Sequence, residues 1–244
     1  MAAPDESKHS DGALCAAIRV HMFATGPKCT DRTIGAVELV VPDTTPGPSG
    51  VCAHKWLVHP PEDMTVVSTI EPLTGISITS FKDAAKDPIK VVAEQLQAAL
   101  RKLGDGAVLW GHASAEFSLP ARTELGIQHL PYKSIADKFK HANLPGSKWA
   151  HQFFTFEVVA RVMLGMLPAA LVADGAYCSA VLQLAQHAPP TEEQSQAMRR
   201  QARATKSFAA RNATYDGVCM GHIASGPYGW ACACRTRTRT RRKW

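Results

Sequence analysis

The sequence predicts a mixed α/β fold, and three observations predict it. Close to the amino end, three apolar stretches follow one another, each ended by a turn, as in an antiparallel meander. A stretch with apolar residues at helical spacing then leads into a short, wholly apolar strand. Several more helical stretches follow, so the order is three strands, helix, strand, helices.

Taken in order, Ile18 to Gly26 is a strand running into a Thr25-Gly26 turn. Ile34 to Val41 is the second strand, ended by Pro42-Asp43, and Thr44 to Gly50 is a loop rich in Pro, Gly and Thr. Val51 to His59 is the third strand, stopped by Pro60-Pro61. Ile70 to Ser80 holds a turn around Gly75. Asp87 is expected as an N-cap, with Pro88 at the first helical position. Ile89, Val92, Leu96, Leu100 and Leu103 then recur at helical spacing until Gly104. Ala107 to Trp110 reads as a strand buried on both faces. After Gly111-His112, helices are expected at about Leu119 to Leu125, Ser134 to Phe139, Phe154 to Leu164 and Ala169 to Gln186, the last two parted by Leu167-Pro168. Beyond Pro189-Pro190, Thr191-Glu192-Glu193-Gln194 matches a capping box. The helix behind it has few large apolar residues (Met198, Phe208) and sets Arg199, Arg203 and Lys206 on one face, as a peripheral basic helix. The expected division is a disordered lead over 1–16, one α/β domain over 17–188, and a basic helix with an Arg-rich tail over 189–244.

A chain of 244 residues, 45% hydrophobic and 20% charged, can bury a substantial core. Its most apolar window, Val158 to Ala173, contains Arg161 and Pro168 and is shorter than the ~20 residues of a membrane span, so no membrane association is expected. Met1 to Gly12 is polar and acidic, unlike a secretory signal, and the expected location is nuclear or cytoplasmic. The net charge of +6 is uneven: from Thr191 to Trp244 eleven Lys and Arg stand against Glu192, Glu193 and Asp216. That asymmetry fits a polyanionic partner, and it fits a solvated basic tail as well. Seven cysteines, odd in number and irregularly spaced, argue against a disulfide scaffold and for a reducing compartment.

Four local matches, in order, resemble the DEDDh 3′-to-5′ exonucleases of the ribonuclease-H-like fold, specifically the three-prime repair exonuclease (TREX) type. The first is His21-Met22-Phe23-Ala24-Thr25-Gly26, where the family has Asp-x-Glu-Ala-Thr-Gly. The second is Leu73-Thr74-Gly75-Ile76-Ser77, similar to a family turn whose first residue packs on the terminal bases of the substrate. The third is Gly111 to Leu125, where His112, Phe117, Pro120 and Thr123-Glu124-Leu125 match, while Ala113 replaces an Asn and Ser118 a metal-binding Asp. The fourth is the family's His, four residues, Asp. With Asp174 as that Asp, Ala169 holds the His position; in the other register Leu171 and Ala176 hold the two. The resemblance covers about Ile18 to Gln186. It implies a mixed sheet, a three-strand antiparallel meander plus parallel strands, flanked by helices, with the basic segment as an extension.

Family chemistry uses two divalent metals clamping the oxygens of a phosphodiester, held by carboxylates, with a His as general base. His21, Phe23, Ser118 and Ala169 stand at the positions of the missing groups, leaving at most one acid, Asp174, which reads either as a relic ligand or as a polar residue on a helix face. The expectation is therefore a catalytically degenerate homologue with no cofactor, binding single-stranded DNA or RNA ends, or a protein partner, without cleavage. Phe23 is expected to fill core space, His21 to be a satisfied, partly buried imidazole, and Ser118 to cap a helix. The backbone of Ala24 and Thr25, with Leu73, His112, Phe117, Arg199 and Arg203, is the expected nucleic-acid surface. One alternative is an active Mg²⁺- or Mn²⁺-dependent exonuclease with carboxylates relocated to Glu38, Glu116 or Glu157; another is a pure interaction module. Cys219, His222, Cys232 and Cys234 offer zinc ligands in the tail, against free thiols there. The resemblance also implies a homodimer joined through a sheet edge.

Overall fold

The computed structural model describes residues 14–25, 31–43, 50–104, 106–112, 118–142, 151–209, 214–215 and 218–219. Three strands open the chain: β1 (Cys15–Ala24), β2 (Arg32–Pro42) and β3 (Val51–Leu57), paired antiparallel in succession. Thus β1 starts inside the segment expected as a lead. Two short helices, α1 (Glu71–Thr74) and α2 (Ile78–Asp83), flank Gly75, and α3 spans Ile89–Arg101. β4 (Val108–Gly111) and β5 (Tyr132–Ser134) then lie parallel to β1 on its other side. The strand order is β3-β2-β1-β4-β5, the mixed sheet of the ribonuclease-H-like fold.

Helices cover both faces because strand residues alternate between them. On one face Ala16, Ile18, Val20, Val37 and Leu39 pack against Val92, Leu96 and Leu100 of α3 and Leu125, just past α4 (Leu119–Glu124). The other face takes Ala17 and Val40 under α5 (Ile135–Lys138), α6 (Phe156–Leu164) and α7 (Ala176–Gln186). Two-residue strands β6 (His141–Ala142) and β7 (His151–Gln152) form a separate pair. Lys138 closes the carboxyl end of α7 by donating to Ala185 O at 2.5 Å, cation against unsatisfied carbonyl.

The final long helix, α8 (Glu192–Ala209), packs on α6. Its capping box closes reciprocally: Gln194 N–H donates to Thr191 Oγ1 at 3.2 Å, and Thr191 N–H donates to Gln194 Oε1 at 2.9 Å. Met198 is the anchor, fully buried in the α6–α7 cluster. The pairs at Thr214–Tyr215 and Val218–Cys219 form a small hairpin. No described helix is long and apolar enough to cross a membrane.

Two expectations are corrected. Asp87 does not cap α3: Pro88 stands at the N-cap, and the Asp87 backbone bridges the outer edge of β3, donating to Leu57 O and accepting from His59 N–H. The helix expected from Ala169 to Gln186 is two pieces, a 3₁₀ turn at Pro168–Val172 and α7. The first ends at an extended Ala173, and Gly175, at φ 70°, starts the second.

Thr191→Ala removes one half of the capping box. A loss of about 1 kcal/mol in urea denaturation is expected, within the ~0.5–2 kcal/mol range of N-cap deletions.

Candidate functional site

The face of the sheet beneath α7 should be apolar, yet strand register places three charges in one row across it. Arg19 pairs with Glu38, and Glu38 pairs with Lys55. His21, two residues along β1 from Arg19, points to the same face, so its ring lies diagonal to Glu38. The distances are short: His21 Nε2 is 3.3 Å and Lys55 Nζ 3.6 Å from the same Glu38 Oε1. Arg19, His21 and Glu38 are all buried.

α7 roofs this row. Arg19 Cζ sits 3.8 Å over the Tyr177 ring, Tyr177 packs on Phe156 at 4.0 Å, and Phe156 meets the His112 ring edge-on at 5.5 Å. The Cys178 thiol points at Glu38 O from 3.8 Å. Burial, then the Glu38 charge, push that thiol well above its ordinary pKa, so it stays protonated. For Glu38, burial alone would raise the pKa. The His21 hydrogen bond and the charges of His21, Arg19 and Lys55 outweigh it and hold the carboxyl below 4.5.

Asp174 closes the row from outside. Its carboxylate, 75% exposed, lies 2.5 Å from Lys55 Nζ. Gly175 makes that approach possible, because a Cβ there would stand 2.8 Å from Ala53 Cβ. Lys55 is thus held between a buried carboxylate and an exposed one. Ala169 is exposed on the 3₁₀ turn, Leu171 is buried in the α6–α7 cluster, and Ala176 is half-buried at the start of α7.

Phe23 lies past a bulge. His21 pairs with Ala36 and Met22 with Ile34, so Gly35 is the extra residue. The Phe23 ring rests where a Gly35 side chain would be, 1.9 Å from an ideal Cβ, and meets Phe81 edge-on at 5.0 Å. With Ala36, Val66, Ile76 and Phe81 it forms a closed apolar cluster.

Beside that cluster, the Gly75 turn is clamped by buried hydroxyls. Thr69 Oγ1 donates to Ile76 O at 2.5 Å, Thr74 Oγ1 to Thr69 O at 3.0 Å, and Ser68 Oγ accepts from Ile70 N–H at 3.1 Å. The network holds Ile70 at φ 57°, a region that costs a β-branched residue about 1–3 kcal/mol. Leu73 stands on α1 in this turn.

Other expected residues have internal partners. Ala24 N–H donates to Ser68 O and Thr25 N–H to Asp31 O, so neither amide points to an open surface. His112 Nε2 donates to Phe154 O at 2.9 Å, a structural role. Ser118 occupies the N-cap of α4 but makes no side-chain cap, contrary to expectation. Pro120 stands in the first turn and removes one of the N–H groups such a cap would reach. Arg199 is half-buried and Arg203 exposed on α8. Phe117, Glu116, His222, Cys232 and Cys234 lie outside the described residues, as does the side chain of Cys219.

These positions do not fit a pair of hard divalent ions. Phe23 offers no donor, Asp174 is paired with Lys55, and Glu38 faces His21 and also Arg19 and Lys55, whose positive charges would repel a metal. Among the described residues no three His, Cys, Asp or Glu side chains gather as a metal site. Glu157, half-buried on α6, has no such company either.

No protein-family model matches the sequence, and no curated protein does. Solved structures are similar, among them the following three. The zinc-bound form of the E. coli ExoI–ssDNA complex has 10% identity over 51% of this chain and 28% of that one, TM-score 0.38. Cell-death related nuclease 4 has 16% identity over 71% and 62%, TM-score 0.44. Exonuclease I from Methylocaldum szegediense, moderately thermophilic, has 13% identity over 82% and 43%, TM-score 0.42. The chain thus spans less than two thirds of the length of each. The fold assignment rests on the sheet order itself.

Arg19 and Lys55 escaped the sequence reading, and Glu38 entered it only as a spare acid. The signal was present: single charges in three otherwise apolar strands must pair, and a meander can set them side by side. What the sequence lacked was the register.

Glu38→Gln leaves Arg19 beneath α7 without its carboxylate, and a loss of about 3–5 kcal/mol is expected at pH 7. The lowered pKa fixes the sign of the pH effect. The carboxylate's contribution is complete above about pH 4.5 and is lost as pH falls through the lower folded value, so acid unfolding should be shallower in the Gln variant. Gly35→Ala should cost about 1–3 kcal/mol by overpacking. Phe23→Leu in the same chain should recover part of it, read as the coupling term of a double-mutant cycle.

Proposed function

We propose that this chain is a catalytically degenerate TREX-like protein that binds single-stranded nucleic-acid ends and does not cut them. The observation that carries the reading is the filling of the catalytic face. Where the resemblance puts the two metal-holding carboxylates of the first strand, His21 belongs to an ion-paired row and Phe23 to an aromatic cluster. Two-metal hydrolysis needs free oxygens aimed at one point, and this face turns its one buried carboxylate toward cations.

Binding is supported by charge. Arg199, Arg200 and Arg203 stand on a helix seated on the domain, and the segment beyond it is strongly basic. Contacts to phosphate from such residues release counterions and need no metal. Removing acids from the cleft also lowers its repulsion toward a strand.

The test is the full chain with end-labelled single-stranded DNA and RNA, in Mg²⁺ and then Mn²⁺. Full-length substrate and a salt-dependent gel shift are expected, with Arg199→Ala and Arg203→Ala each reducing the salt slope by about one. Metal-dependent shortening that survives His21→Ala and disappears in Glu38→Gln, Glu157→Gln or Asp174→Asn would overturn the reading in favour of an active enzyme. Absence of any shift at low salt would leave an interaction module.

A further inference from the structure

We propose that Cys52 and His54 are half of a tetrahedral zinc site, completed by the same two residues of a second copy of this chain across the outer edge of β3. Cys52 Sγ and His54 Nε2 stand 3.3 Å apart, side by side on one face of the strand. A zinc ion about 2.3 Å from a thiolate and about 2.05 Å from an imidazole, at the tetrahedral angle, sets those donors about 3.5 Å apart. The pair therefore has the bite of two zinc ligands. Its imidazole is steadied by stacking on Trp56, ring planes parallel at 5.4 Å, and Trp56 in turn packs on the core. Cys52 is exposed and reduced.

Two ligands do not make a structural zinc site, and the strand itself indicates where the other two come from. β3 is the outer strand of the sheet. Val58 N–H bonds inward to Gly35 O, so even-numbered residues of β3 use their backbone on β2 and odd-numbered ones face outward. Leu57 and His59 are joined there by Asp87; among the described residues no backbone bond is made on the outward side at Val51, Ala53 and Lys55. A second copy paired antiparallel about Ala53 would exchange backbone bonds at Ala53 and between Val51 and Lys55. In that register Cys52 lies opposite the second copy's His54, and His54 opposite its Cys52. These are non-hydrogen-bonded pairs with Cα atoms about 4.5 Å apart, the closer kind. Two thiolates and two imidazoles then share one face over two rungs, a Cys₂His₂ set. No like charges oppose: Lys55 meets Val51, which is 54% exposed and gains cover.

The test uses the full chain, stripped with chelator and kept reduced, then given zinc. Bound zinc is measured after gel filtration and mass by light scattering, for the parent, Cys52→Ser and His54→Ala. Both side chains lie on the open strand, so unchanged thermal melts should accompany the substitutions. The proposal expects each variant to hold about half a zinc ion per chain less than the parent. It also expects zinc to double the mass of the parent alone. Equal zinc in parent and variants would overturn it. So would a full ion per chain lost with the mass of one chain, which would mean ligands from within the chain. A double-mass species that chelator leaves intact and a thiol reductant dissolves would overturn it too, in favour of a Cys52 disulfide.

Discussion

The row Arg19–Glu38–Lys55 constrains the molecule more than any other interaction described. Charges in the middle of a sheet roofed by a helix are tolerated only when each finds its opposite, and here the opposites lie on adjacent strands. Sliding β2 by one residue against β1 would turn Glu38 to the other face, among Val92 and Leu96, and leave Arg19 alone under Tyr177. The row adds little net stability against an apolar replacement of equal volume, yet it fixes the pairing of three strands. It also seats α7, through Tyr177 over Arg19, Cys178 against Glu38 O and Asp174 on Lys55.

The same interaction sets the charge balance of this face. A site for paired magnesium ions keeps surplus negative charge and leaves water room to bind. Here the acids are matched by neighbouring cations, and the apolar cluster of Phe23, Phe81 and Ile76 fills the far end of the first strand. The Gly75 turn nearby is held by its buried hydroxyl network around a left-handed Ile70, which stiffens that end of the sheet.

Much of this fold was legible in the sequence, because it was written in local patterns. The meander, the amphipathic α3 and the capping box of α8 follow from apolar spacing and from Pro, Gly and Thr at element ends. The misses share one cause, tertiary contact. Asp87 reads as a cap until β3 claims its backbone, and Ser118 reads as one until Pro120 removes a target. Gly175 looks like a lapse in a long helix; it is a left-handed joint pressed against Ala53. At the candidate site, His21, Phe23 and Ser118 could be picked out in the sequence. The partners that give His21 its role could not, since Glu38 and Lys55 reach it only through strand register.

The mounting of α8 has a consequence of its own. Met198 plugs it into the core and Thr191 with Gln194 locks its first turn, so Arg199 and Arg203 project from a braced rod. A loose arginine string surrenders backbone freedom each time it grips an anion, whereas a braced one has surrendered it already during folding. Any polyanion meeting this row finds its counter-charges preorganised at helical intervals.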